Sequence, residues 1–214
     1  MKRIGMNNFK STGIYALTAE ELSKGRSNIE IVKALIDAGI TFLQYREKEK
    51  AASEMYQECL IIRELTKKAG VTFIVNDHID LALAVRADGV HIGQTDLPPM
   101  VVRNLIGKDM VLGLSTHNQE QMTNAQASGV VDYIGVGPVY ETKTKKDVTA
   151  AVGLDYVRYV AKHCQLPFVA IGGIKEYNVT EVMAAGAHTV AIVSDIVGAD
   201  DIKAKIAQIK SKMI

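Results

Sequence analysis

A short apolar, β-prone run followed by an amphipathic stretch recurs eight times along this chain, and that alternation constrains the fold more than any single residue does. Residues 13–17 form the first run; in residues 29–38 the apolar positions Ile29, Val32, Leu35 and Ile36 have helical spacing, and Gly39 closes the helix. The pairing returns with 41–44 and 51–69, 71–75 and 81–86, 89–92 and 98–105, 110–114 and 118–128, 132–136 and 154–163, 167–171 and 176–185, and 189–193 and 200–213. Strand-then-helix units with short connections build a parallel sheet, and eight of them favour closure into a barrel over an open doubly wound sheet. No Gly-x-Gly-x-x-Gly follows the first run, which argues against the dinucleotide-binding open sheet. The expectation is a compact α/β protein, a single-domain (β/α)8 TIM barrel over residues 1–214. Residues 1–12 are an N-terminal extension, and the active site belongs at the C-terminal ends of the strands.

Composition narrows the partners. With 48% of 214 residues hydrophobic, the chain can bury one substantial core, and a formal net charge of +1 gives no general attraction for nucleic acid or an anionic membrane. Any anion binding must therefore be local. Cys59 and Cys164 lie in helical stretches without metal-type spacing and read as structural thiols of a reducing compartment. Lys2 and Arg3 open the chain without an apolar leader core, and no run is long enough to span a bilayer. A soluble, cytoplasmic protein with small-molecule partners is expected, with no nucleic acid and no membrane; a homo-oligomer stays open.

The strand exits carry the chemistry. After the second strand come Gln44-Tyr-Arg-Glu-Lys48, and period-two alternation turns Gln44, Arg46 and Lys48 to one side and Tyr45 and Glu47 to the other. Asn76-Asp77 and Gln94-Thr-Asp96 follow the third and fourth strands. An aspartate there can be a helix cap, but two carboxylates on adjacent exits suit a hard, oxygen-bound cation, Mg²⁺, rather than zinc. Ser115 either donates to a phosphate or caps the helix starting near Asn118. The loop 137–153 alternates threonines and lysines, among them Thr142, Thr144 and Lys145, and is long enough to close as a lid. Gly172-Gly173 and Val193-Ser194 end the last two strands, where this fold recurrently binds phosphate; a tight turn is the other reading of the glycine pair. His91 reads as a hydrogen-bonded core residue, and His117 at the rim as a possible acid or base.

These motifs, with Asp88-Gly-Val-His-Ile-Gly-Gln-Thr-Asp96, Gly113-Leu-Ser-Thr-His117, Asp132-Tyr-Ile-Gly-Val-Gly-Pro138, Thr142-Lys-Thr-Lys145 and Ala170-Ile-Gly-Gly-Ile174, make the chain resemble the thiamine-phosphate synthase family over nearly its whole length. The resemblance implies a Mg²⁺-using transferase that joins hydroxymethylpyrimidine diphosphate to a thiazole phosphate, plain or carboxylated, and releases pyrophosphate. It implies Asp77 and Asp96 as metal ligands and Arg46, Lys48, Asn76, Ser115 and Lys145 on the diphosphate. Gln44 would orient the pyrimidine, Thr142 and Thr144 would meet the thiazole, and Gly173, Val193 and Ser194 would form its phosphate site. Two positions depart from the family pattern: Glu141 stands where proline is common, and His78 where arginine is. A related thiazole tautomerase, with His117 moving protons, and a non-catalytic phosphate-binding barrel are the alternatives; the full diphosphate and metal set favours the synthase.

Overall fold

The computed structural model describes residues 3, 5–142 and 150–213. Helix α1 (Gly5–Thr12) leads into β1 (Ile14–Leu17), α2 (Asn28–Asp37), β2 (Phe42–Tyr45), α3 (Ala52–Ala69), β3 (Thr72–Asn76), α4 (Ile79–Ala84) and β4 (Gly89–Ile92). There follow α5 (Pro99–Ile106), β5 (Val111–Thr116), α6 (Gln119–Ser128), β6 (Tyr133–Val136), α7 (Gly153–His163), β7 (Phe168–Ile171), α8 (Val179–Ala184), β8 (Val190–Ala191), α9 (Ser194–Val197) and α10 (Ile202–Ser211). Each strand pairs in parallel with the next, and β8 returns to β1, so the sheet is a closed barrel. The expected (β/α)8 architecture is the observed one.

Local chemistry sets the element ends. Ser27 accepts from the Glu30 amide while the Glu30 carboxylate takes the Ser27 amide, a reciprocal cap at the start of α2. Gly70 and Gly129 end α3 and α6 in the left-handed conformation. Helix α8 starts later than residue 176 because the Asn178 side chain accepts from the Lys175 amide and holds residues 175–178 as a turn. The last strand is shorter than 189–193 because the chain turns at Val193 into α9, an element the hydrophobic pattern did not announce.

Alternation along each strand divides the core. Tyr15, Leu17, Phe42, Ile74, Val111 and Tyr133 fill the barrel interior, while Ile14, Ala16, Leu43, Phe73, Val75 and Val90 face the helices. Each Leu, Ile, Val or Phe among them contributes about 1.5–3 kcal/mol when fully buried. Helix α1 packs on this interior: Phe9 is buried, with its ring 4.8 Å from Tyr133 and 5.2 Å from Phe42. Asn8 Nδ2 donates to the Gly70 carbonyl and to Thr72 at the start of β3, which places α1 across the N-terminal ends of the strands. Asp132 at that same end pairs with both Arg3 and Arg103. Charges there serve structure, and the opposite rim is left for chemistry. Among the described residues no helix is long and apolar enough to cross a membrane.

Candidate active site

The exit of β2 is a buried polar corner of the rim. Gln44 is 3% exposed inside the barrel and its Nε2 donates to the Tyr15 hydroxyl at 2.7 Å. On the opposite face, the Tyr45 hydroxyl donates to Glu58 and Glu47 accepts from Asn28, as the period-two alternation requires. Arg46 shares the parity of Gln44. Its backbone is pinned by Thr18, whose hydroxyl accepts from the Arg46 amide at 2.9 Å, and the residue is 6% exposed. Arg46 Nε is buried and has no hydrogen-bond partner among the described residues, and the nearest carboxylate, Glu21, lies 3.9 Å from Nη1. A buried guanidinium with an unused donor is suited to an anionic oxygen. Lys48 reaches across to the neighbouring exit and bonds the Asp77 carboxylate at 2.5 Å.

Asn76 ends β3 almost fully buried, and Asp77 follows with φ +60°, a left-handed conformation that aspartate tolerates better than most residues. The Asp77 amide donates to the His91 carbonyl, tying the turn to β4. Asp96 does not cap α5, whose N-cap is Pro98; its carboxylate accepts from the Gly93 amide at 2.6 Å and folds the β4 exit into a turn. Both aspartates leave adjacent parallel strands at the same rim. Among the described residues no three His, Cys, Asp or Glu side chains gather as a metal site. Both aspartates offer only carboxylate oxygens, the donor chemistry of a hard cation such as Mg²⁺ rather than of zinc.

Ser115 lies within β5 and does not cap α6. That cap is Asn118, whose side chain accepts from the Gln121 amide, while Ser115 Oγ is 3.0 Å from His91 Nε2. His91 is a buried, hydrogen-bonded residue on β4. His117 Nδ1 donates to the Gly137 carbonyl, which fixes the ring at the exits of β5 and β6.

The β6 and β7 exits close on each other. The Val139 and Tyr140 amides donate to the carbonyls of Ile171 and Gly172. Gly172 and Gly173 adopt φ of +102° and +65°, and a Cβ would stand 2.4 Å from Pro138 at the first and 2.7 Å from the Glu141 carbonyl at the second. The pair therefore serves a tight backbone approach as well as left-handed turns. Ser194 opens α9, and its hydroxyl accepts from Lys175 Nζ at 2.5 Å, with Asp195 3.6 Å from the same ammonium. Val193 is the residue before that helix. Lys175 brings a cation to the strand 7 and 8 exits that the sequence reading missed; its signal was the lysine two residues beyond Gly173. Thr142 is half-buried at the edge of the described loop, and Thr144 and Lys145, with the centre of the expected lid, lie outside the described residues.

Comparison with known proteins identifies relatives of this arrangement. A family model described as thiamine monophosphate synthase matches residues 14–196. The chain is 57% identical to a thiamine-phosphate synthase of Pelotomaculum thermopropionicum, over 99% of this chain and 96% of that one. It is 53% identical to a thiamine-phosphate synthase of Caldicellulosiruptor saccharolyticus, over 94% and 90%. Among solved structures, a thiamine phosphate pyrophosphorylase from Pyrococcus furiosus superposes with a TM-score of 0.86 at 31% identity, covering 97% of each chain.

Proposed function

Because the chain belongs to the thiamine monophosphate synthase family and acts as a thiamine-phosphate synthase, a transferase, we propose that the residues at the exits of β2 to β5 hold the pyrimidine diphosphate and draw off its pyrophosphate. Identity over nearly the whole chain to named synthases decides against the tautomerase and the non-catalytic barrel. The observation that carries the site assignment is the buried Nε of Arg46, without a hydrogen-bond partner among the described residues, on the same strand exit as Lys48, which pairs with Asp77. A diphosphate is the group that would use both.

In this reading Arg46, Lys48, Asn76, Ser115 and Lys145 contact the diphosphate oxygens, and Gln44 sets the pyrimidine ring. Asp77 and Asp96 hold Mg²⁺, which when bound neutralises charge developing on the departing pyrophosphate. Lys48 then exchanges part of its bond with Asp77 for the substrate oxygen. One unit charge at ~4 Å in an effective dielectric of about 20 contributes roughly 4 kcal/mol, so a few convergent cations account for much of the leaving-group stabilisation. The C–O bond breaks ahead of C–N bond formation, and the thiazole nitrogen captures the pyrimidine cation. No strong general base is needed. Thr142 and Thr144 meet the thiazole, and Gly173, Val193 and Ser194 its phosphate, with the loop 137–153 keeping water from the cation. Free small molecules as substrates fit a cytoplasmic enzyme, acting alone or as a homo-oligomer.

The test is pyrophosphate release with both substrates, with and without Mg²⁺. Release that requires both substrates and stops on chelation is expected; release without the thiazole phosphate at the same rate, or unaffected by chelation, overturns the reading.

A further inference from the structure

Beneath the rim, hydrogen bonds run without a break from Gln44 to Ser115. Gln44 Nε2 donates to the Tyr15 hydroxyl at 2.7 Å, and the hydroxyls of Tyr15 and Tyr133 are 2.8 Å apart. The Tyr133 hydroxyl meets His91 Nδ1 at 2.9 Å, and His91 Nε2 meets Ser115 Oγ at 3.0 Å. Five strands supply the five residues, so no local motif builds the chain. Glycines make room for it: a Cβ on Gly113 would stand 2.2 Å from the Tyr133 ring and 2.4 Å from His91 Nδ1, and one on Gly135 would lie 3.4 Å from His91 Cε1. Burial raises the pKa of both tyrosines well above its ordinary value, so each hydroxyl keeps its one proton.

A hydroxyl donates once, and a neutral imidazole carries one N–H, so these bonds cannot choose their direction singly. With every hydroxyl proton used, every proton points from Gln44 toward Ser115 or every one points back; a mixed arrangement strands one buried hydroxyl proton without an acceptor. In the first sense Tyr133 donates to His91 Nδ1, His91 Nε2–H donates to Ser115, and the Ser115 proton is left for the rim. Gln44 then turns an N–H toward Tyr15 and its carbonyl away. In the opposite sense the Ser115 proton is used on His91, and oxygen lone pairs face whatever sits at the rim. An anion beside Ser115 is compatible only with the first.

We propose that His91, Tyr133 and Tyr15 are positioning residues that lock Ser115 as a donor to the diphosphate and Gln44 as a carbonyl acceptor for the amino group of the pyrimidine. The two ends of one substrate are thereby recognised together. The proposal rests on the site reading that Gln44 and Ser115 meet those two ends.

A double-mutant cycle separates the two claims. Gln44→Ala and Ser115→Ala are made singly and together, in the wild type and in Tyr133→Phe, and kcat/KM for the pyrimidine diphosphate is measured on protein shown folded by its melting curve. In the wild-type background the double variant should lose less than the product of the single losses by about fivefold or more, and in Tyr133→Phe the losses should multiply to within about twofold. Losses that multiply in the wild type, or coupling that survives Tyr133→Phe, overturn the wire. Full activity in both single variants overturns the site reading, and the wire with it. Tyr133→Phe removes a buried hydroxyl and can unfold the barrel, so the wild type gives an independent readout. Nitrogen NMR of His91 with inorganic pyrophosphate and Mg²⁺ should show the proton on Nε2, and a proton on Nδ1 overturns the proposal.

Discussion

Replacing Arg46 with methionine should separate stability from activity. The arginine side chain is 7% exposed, its Nε is buried without a partner among the described residues, and its nearest carboxylate, Glu21, is 3.9 Å away and 55% exposed. A buried donor left unpaired costs about 1–3 kcal/mol, and exchanging a poorly compensated buried cation for an apolar chain of similar length is neutral to stabilising by about 1 kcal/mol. Methionine should therefore leave the unfolding free energy unchanged or higher. Activity should move the other way. A cation ~4 Å from the leaving diphosphate at an effective dielectric of about 20 contributes roughly 4 kcal/mol, equivalent to about a thousandfold in rate. Urea unfolding supplies the first quantity and pyrophosphate release the second. Inorganic pyrophosphate should also raise the melting temperature of the wild type more than that of the variant. Turnover within about tenfold of wild type, together with a stability loss above about 2 kcal/mol, would refute the assignment of Arg46 to the anion rather than to the fold.

Three further outcomes follow from the same contacts. Gly172→Ala should cost about 2–4 kcal/mol, because φ of +102° and a Cβ 2.4 Å from Pro138 combine strain with overlap; an unchanged unfolding midpoint would contradict this. Burial alone would raise the Glu58 carboxyl, but bonds from Lys50, Tyr45 and Asn28 hold its pKa below the usual 4.5. Its folded value lies below its unfolded one, so its stabilisation is complete above the unfolded value and is lost as pH falls through the folded one. Melting temperatures taken downward from about pH 5.5 should drop less steeply in Glu58→Gln than in wild type, and parallel curves would refute the sign. Burial, with the Glu58 charge beside it, pushes the Cys59 thiol up to about 12, so a maleimide should leave Cys59 unmodified in the folded protein near pH 8 and label it in urea. Labelling of Cys59 in the folded protein would contradict that environment.

The barrel was legible because its physics is periodic. Strands covered on both faces are apolar runs, helices packed on one face are amphipathic, and eight repeats allow closure. The same period of two told which of Gln44, Tyr45, Arg46 and Glu47 faces inward. What stayed hidden depends on meetings between distant segments. Tyr15 and Tyr133 are 118 positions apart and look like ordinary strand aromatics until the barrel brings their hydroxyls together. Lys175 gains meaning only when α9 places Ser194 beside it. Phe9 lies in a polar leader whose helix has few apolar positions, and its burial follows from a barrel mouth that must be covered. Ser115 and Asp96 each had a capping reading that only the observed partners removed: Asn118 for one, the Gly93 amide for the other.

The central claim, that anion-handling groups from separate strands converge on one cation and one departing pyrophosphate, is tested most directly by diffraction from crystals soaked with Mn²⁺ in place of Mg²⁺ and inorganic pyrophosphate. The account predicts one anomalous peak between the carboxylates of Asp77 and Asp96, each bound directly or through one water, with the pyrophosphate also touching Arg46, Lys48 and Ser115. A peak away from that rim, or a pyrophosphate bound without either carboxylate near its metal, would contradict it.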